Sequence, residues 1–304
     1  MNMIGRGYNV DGRTVLITGG ARGIGADAAR RLVAKGASVA LVDRDAAALE
    51  RTAAELGERA EPFVADVTDH TALDAAVNGA VQRFGGIDVV IANAGISGEP
   101  ATVATIDPAE FERVIQINLI GVWRTVRAAL PHVVERRGYV LPIASVAALI
   151  PGPLIAAYAA SKHGVEGFAR SLRLEIARTG TRVGVGYFSF IDTNMVRDAV
   201  AHPAVARGMS SLPGALSRPL PVGAAGAAIA RGVERRAKRV YAPRWVLALI
   251  AARGLGGPVE SLAGRDPRLV RALRDAEREA AASTPHDGTG NGQPDDELIE
   301  VTSR

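Results

Sequence analysis

Residues 13 to 43, RTVLITGGARGIGADAARRLVAKGASVALVD, decide how the rest of the chain folds around them. Val15, Leu16 and Ile17 make a short apolar, β-prone run that stops at Thr18, and Gly19, Gly23 and Gly25 follow within seven residues. A helix is expected from about Ile24 to Lys35, then a second strand from Ser38 to Val42 that ends at Asp43. Glycine lacks a Cβ, so such a turn lets backbone N–H groups and a helix N-terminus approach an anion, and a dinucleotide pyrophosphate is its natural occupant. Arg22, inside the turn, is placed to reach the phosphate side. Asp43 lies eighteen residues past Gly25, where a carboxylate accepts hydrogen bonds from adenosine ribose hydroxyls. Three glycines alone also make an ordinary loop. The strand before them, the helix after them and the acid at the end of the second strand favour the dinucleotide.

The same cycle repeats downstream. A helix is expected over about 45 to 57, a third strand near 62 to 65 ending in Asp66-Val67, a helix near 71 to 84, and the strand Ile87 to Ala92 stopping at Asn93-Ala94-Gly95. Strands alternating with ten- to fifteen-residue helices predict parallel βαβ units with ligand at the strands' carboxyl ends. The fold class is therefore α/β: a Rossmann-type doubly wound parallel sheet of about seven strands, with helices on both faces. A long helix, about Pro108 to Glu135, carries Asn118 and Gly121, and an asparagine in a helix interior marks a local irregularity. Tyr139 to Ala144 is the next strand and ends at Ser145. Pro142 inside it cannot donate to the ladder, which predicts a bulge or an unpaired carbonyl.

After the loop 150 to 153 comes a helix carrying Tyr158-Ala-Ala-Ser-Lys162 and running to about Arg178. Tyr158 and Lys162 are four apart, so they share a helix face about 6 Å apart. Arg182 to Phe188 gives a further strand, followed by Ser189-Phe190-Ile191-Asp192-Thr193, and Phe188 and Phe190 are candidates for the wall of a substrate pocket. The Pro- and Ser-rich stretch 202 to 221 is expected to be a loop acting as a lid. A helix over 222 to 237 and a strand over 239 to 242 close the sheet. Residues 1 to 243 are expected to form one domain whose first twelve residues are a frayed arm, 244 to 282 a helical extension, and 283 to 304 a disordered tail.

Moving a hydride to or from an alcohol requires a group that accepts or returns the hydroxyl proton. Tyr158 is the candidate. A free tyrosine has a pKa of about 10, and ionising it at pH 7 costs on the order of 4 kcal/mol, so it needs a cation such as Lys162 nearby. The motifs TGxxxGxG, Asp43, Asn93-Ala94-Gly95, Asn118, Ser145 and YxxxK, in this order, resemble the short-chain dehydrogenase/reductase family over roughly residues 10 to 243.

That resemblance implies an NAD(H)-dependent enzyme interconverting a secondary alcohol and a ketone. Tyr158 would be the general acid/base, Lys162 would also bond the nicotinamide ribose, and Ser145 would hold and polarise the substrate oxygen. Asn118 would distort its helix and hold a water on the proton-relay route. The implied cofactor set is Gly19, Arg22, Gly23, Ile24, Gly25 and Asp43, with Asp66 and Val67 at the adenine and Asn93, Ala94 and Gly95 beside adenine and ribose. Tyr158, Lys162, Ile191 and Thr193 complete it, the threonine at the carboxamide. The chain departs from the family at Phe188-Ser189, where Pro-Gly is usual. Members form dimers or tetramers through the helices that here hold Asn118 and Tyr158, so a homodimer or homotetramer is expected.

Composition narrows the alternatives. The 304 residues contain no cysteine, which excludes disulfides and thiolate catalysis, and five histidines in no ligand spacing lead us to expect no metal. There is no apolar run of about 18 residues and no basic-then-apolar leader, so a cytoplasmic protein is expected. A net charge of +4 and only 4% aromatic residues argue against nucleic acid. Between Arg231 and Arg253, seven Arg or Lys (231, 235, 236, 238, 239, 244 and 253) stand against Glu234. Two other readings follow: a nucleotide-binding regulator without turnover, and a peripheral membrane protein laying this basic stretch and Trp245 to Leu255 on anionic lipid. The intact Ser145, Tyr158 and Lys162 favour the enzyme, with a small, apolar substrate.

Overall fold

A computed structural model of the chain describes residues 8–210, 214 and 218–252, together with 271, 273–275, 277 and 278. Short runs rich in Val, Leu and Ile form β1 (Thr14–Thr18), β2 (Ser38–Asp43), β3 (Ala60–Val64), β4 (Val89–Ala92), β5 (Tyr139–Pro142) and β6 (Arg182–Val183). They make a six-stranded parallel sheet in the order β3-β2-β1-β4-β5-β6. The helices are α1 (Gly23–Val33), α2 (Ala46–Leu56), α3 (His70–Phe84), α4 (Pro108–Ile115), α5 (Gly121–Glu135), α6 (Ala156–Glu175), α7 (Asn194–Ala201), α8 (Pro203–Ser210), α9 (Val222–Arg235) and α10 (Val246–Ala252).

Side chains along a strand alternate between faces, and here both faces are covered. Leu16 and Val90 pack on one side with Leu73 of α3, Val126 of α5 and Val165 of α6. Ile17 and Ile91 pack on the other with Leu32 of α1, Leu49 of α2 and Ile229 of α9. Burying each such side chain contributes roughly 1.5–3 kcal/mol. The strand order reverses between β1 and β4, so the carboxyl ends of these two strands open a crevice.

Pro142 has a visible effect. Its missing N–H faces the β6 side, and the pairing there stops after Val140–Val183 and resumes only as a bridge between Ile143 and Gly186. The single strand expected from Arg182 to Phe188 is therefore two pieces, β6 and β7 (Gly186–Phe188), and β7 pairs with β8 (Val240–Ala242). Ala144 N–H to the Gly186 carbonyl, at 2.8 Å, ties this pair to the main sheet.

Three further expectations need correction. The helix expected over 108 to 135 is α4 and α5 joined by a π-helical turn, Gln116–Ile120, that contains Asn118. The stretch expected to be a lid loop is helical from 203 to 210, since Pro203 suits a first helical turn and Ala-rich residues follow; 211 to 213 and 215 to 217 lie outside the described residues. The arm is anchored from Tyr8 onward: its N–H bonds the Glu234 carbonyl at 2.6 Å, and Val10 is buried. Most of the expected extension beyond α10, and the expected tail, lie outside the described residues. Among those described, no helix is long and apolar enough to cross a membrane.

Candidate active site

The glycine turn runs from the end of β1 into α1. Gly19 has a φ of 68°, and a Cβ on Gly25 would lie 2.1 Å from the Gly19 carbonyl oxygen, so α1 can pack on the turn only with glycine at 25. Asn93 holds the turn from the neighbouring strand end: its Nδ2 donates to the Thr18 and Gly19 carbonyls at 3.1 and 3.2 Å. The Thr18 hydroxyl accepts the N–H groups of Asn93 and Ala94, and Thr52 donates to the Ala21 carbonyl at 2.8 Å. Thr18 heads the TGxxxGxG motif, whereas Thr52, inside α2, carries nothing in the sequence that marks its bond to the turn.

Asp43 closes β2 beside the turn. Its carboxylate accepts the N–H groups of Ala21 and Asp45, both at 3.2 Å, and it lines a cavity of about 830 Å³. Gly19, Arg22, Gly23, Ile24, Asp66, Val67, Asn93, Ala94, Gly95, Ile191 and Thr193 line the same cavity. Both nearby arginines are engaged: Arg22 pairs with Asp45, and Arg44 with Asp66 at 3.6 Å. Partial burial works against ionisation of Asp66, but the Thr68 N–H and hydroxyl and the Arg44 charge prevail and hold its pKa below the usual value.

Ser145, Tyr158 and Lys162 line the cavity as well. Ser145, just past β5, is buried; its hydroxyl donates to the Phe188 carbonyl at 3.4 Å and accepts the Ala147 N–H at 3.1 Å. Tyr158 keeps part of its surface open to the cavity, yet the protein packed around it pushes the phenol pKa up, while a hydrogen bond with the Ser145 side chain draws it down. Lys162 is buried one turn along α6 and donates to the Ile143 carbonyl at 3.1 Å. Its nitrogen stands 5.5 Å from the centre of the Tyr158 ring, and burial lowers its pKa from 10.5 to about 8.

Three proposed site residues are not on the cavity wall. Gly25 is turned into the α1 packing just described. Asn118 is fully buried, accepting the Ile96 N–H at 2.8 Å and donating to the Ile96 carbonyl and Ser161 Oγ at 2.8 and 3.2 Å; its amide fastens the π turn to the loop after β4. Phe190 falls beyond the end of β7, where strand alternation no longer sets its direction, and only Phe188 reaches the wall. Ile96, Ile143, Met195 and Val196 line it too, although as ordinary apolar residues nothing in the sequence singled them out. His163, beside Lys162, turns to the Ala159 carbonyl of its own helix.

A switch-point crevice with a glycine turn, a strand-end acid and a Ser-Tyr-Lys group defines a nicotinamide-dinucleotide oxidoreductase. Residues 13–204 match the family model described as short chain dehydrogenase, and the chain belongs to that family. The (-)-trans-carveol dehydrogenase of Rhodococcus erythropolis is 38% identical over 206 residues, 62% of this chain and 74% of its own. The 2-dehydro-3-deoxy-L-rhamnonate dehydrogenase (NAD(+)) of Sphingomonas sp. (strain SKA58) is 39% identical over 170 residues, 56% of this chain and 68% of its own. The crystal structure of 3-ketoacyl-(acyl-carrier-protein) reductase from Brucella melitensis complexed with NADH matches with a TM-score of 0.70 at 30% identity, over 77% of this chain and 97% of that one.

Proposed function

We propose that this chain interconverts a secondary alcohol and a ketone carrying apolar substituents, using NAD(H), with Tyr158 as the general acid/base. The observation that carries the reading is the convergence of Ser145, Tyr158 and Lys162 on the cavity that also holds the glycine turn and Asp43. The bound nicotinamide would accept or supply the hydride. In the oxidation direction the Ser145 hydroxyl holds the substrate oxygen, and the ionised Tyr158 takes its proton as the carbonyl forms. Burial opposes that ionised form, and Lys162 favours it. At an effective dielectric near 20, a unit charge 5.5 Å from the ring centre is worth roughly 3 kcal/mol. With its pKa at about 8, Lys162 still carries that charge through most molecules at neutral pH.

The cofactor set we propose is the cavity-lining one, with Asp43 on the adenosine ribose. The NAD(+) and NADH in the descriptions of two similar proteins support the choice of cofactor, and the alcohol in the name of a third supports the substrate class. Ile96, Ile143, Phe188, Met195 and Val196 favour an apolar substrate. Assembly into a homodimer or homotetramer through α5 and α6 is supported by Trp123 and Leu174, apolar side chains left exposed on those helices.

Secondary alcohols and ketones screened with NAD(H) by nicotinamide absorbance test the reading, with Tyr158→Phe as the control. The variant removes one oxygen, so turnover should vanish while cofactor affinity stays within a few fold. Undiminished turnover would sink the mechanism. A wild-type chain that binds NAD tightly yet turns over nothing in the panel would favour the regulator.

A further inference from the structure

In a parallel sheet the residues that enter each strand lie at the edge opposite the ligand crevice. Here that edge gathers arginines. Arg13 enters β1, Arg136 and Arg137 lead into β5, Arg182 begins β6, and Arg236 ends α9 ahead of β8. Direct contacts link most of them. Arg13 and Arg136 reach the buried Asp88 carboxylate at 2.6 and 3.6 Å. The Arg13 and Arg236 guanidiniums lie 4.2 and 4.8 Å from the centre of the Tyr8 ring, and Arg236 Nη1 donates to the Arg137 carbonyl at 2.9 Å. Burial, and then the charges of Arg182 and Arg13, lower the pKa of Arg236. Arg13 and Arg136 thus share the one Asp88 carboxylate, whereas Arg137, Arg182 and Arg236 at the same edge make no ion pair among the described residues.

The backbone shows that these side chains are not incidental. Helix α9 is capped by Arg236, left-handed with a φ of 42°, and α5, capped by Arg136, is followed at once by Arg137 with a φ of 51°. Glycine is the unstrained choice at such a helix end. Arginine stands there instead, twice, in the same cluster. Crowded like charges raise the free energy of the folded chain unless an anion is shared between them, and guanidinium forks match the paired oxygens of phosphate.

We propose that this edge binds a compact multivalent phosphate, of the pyrophosphate or phosphate-ester kind, at a site separate from the cofactor cavity. Calorimetric titration of pyrophosphate into protein saturated with NAD, so that the glycine turn is occupied, tests it. One saturable site is expected, weakening as salt rises. Arg182→Gln, a change at an exposed side chain, should weaken binding by about fivefold, the effect of one unit charge at contact distance under water-like screening. Arg236→Gln should weaken it likewise, with circular dichroism to verify folding, whereas Arg127→Gln on the exposed face of α5 should leave affinity unchanged. No saturable binding in the wild type, or equal weakening by Arg127→Gln, would overturn the site. So would pelleting with phosphatidylglycerol vesicles by a protein that does not bind pyrophosphate, since the edge would then be a lipid-facing surface.

Discussion

Replacing Asp43 by asparagine should relax the choice between NAD(H) and NADP(H). The carboxylate is fixed by the Ala21 and Asp45 N–H groups, so a 2′-phosphate in the ribose position would stand beside a charge that cannot swing away. Two unit charges about 4 Å apart repel by about 1 kcal/mol in water and about 4 kcal/mol at the effective dielectric of a protein surface. The open cavity mouth lies between these limits. Arg22 and Arg44 could turn to the phosphate only by leaving Asp45 and Asp66, exposed pairs of the sort worth less than about 1 kcal/mol each. Their release would recover part of the penalty, so we expect at least about 1.4 kcal/mol, a tenfold preference for NAD(H) in kcat/KM. Asparagine keeps one acceptor oxygen for the turn and removes the charge; the ratio should narrow, chiefly through better use of NADP(H). Asp43→Ala and Asp43→Ser should narrow it too, with some loss of stability. Initial rates with both cofactors at saturating substrate, alongside thermal melts, decide the matter. A wild type that prefers NADP(H), or a ratio unmoved by all three substitutions, would refute the placement of Asp43 on the ribose.

Three other outcomes follow from the geometry. The folded pKa of Lys162, about 8, lies below its ordinary 10.5, so between these values the unfolded chain binds the extra proton and stability rises with pH, by roughly 3 kcal/mol across the window. Lys162→Met should lack this rise, and urea midpoints at pH 8 and pH 10 that change in parallel for both proteins would contradict it. Gly25→Ala would press a methyl group against the Gly19 carbonyl and Asn93, so cofactor affinity should fall by about tenfold or more with a stability loss of about 1–3 kcal/mol; an unchanged KM for the cofactor would show that the turn tolerates the shift. Tyr139→Phe removes a buried 2.7 Å bond to the Ala237 carbonyl and should cost about 1–2 kcal/mol in denaturant unfolding without altering kcat/KM.

The parts legible in the sequence are those in which one local rule decides the outcome. Alternating apolar runs and helical periods specify the strands and helices of the first half, and a glycine turn between a strand and a helix places the crevice at the β1–β4 reversal. Tyr158 and Lys162 meet the same cavity because a four-residue step along a helix sets their relation, whatever the rest of the fold does. Pro142 was also legible in kind. A strand residue without an N–H must leave a gap in its ladder, although the sequence does not reveal that the gap lands opposite β6 and cuts one strand into two.

What escaped the sequence depends on which partner a residue meets across the fold. Gly25 and Gly19 have the same chemistry, but one lines the cavity while the other presses against a carbonyl six residues earlier in the chain. Asn118 marks a distorted helix in either case, yet only the approach of the loop after β4 shows that its amide is taken up by Ile96 and Ser161 and is turned away from the cavity. Phe188 and Phe190 look equivalent until the strand ends between them. The electrostatics follow the same division: Lys162 lies beside Tyr158 as its spacing requires, but the burial that raises the phenol and lowers the ammonium comes from the whole packed sheet. Spacing along the chain therefore brings Tyr158 and Lys162 together, and long-range packing sets how far each is held from its ordinary ionisation, the balance that Tyr158→Phe and Lys162→Met separate.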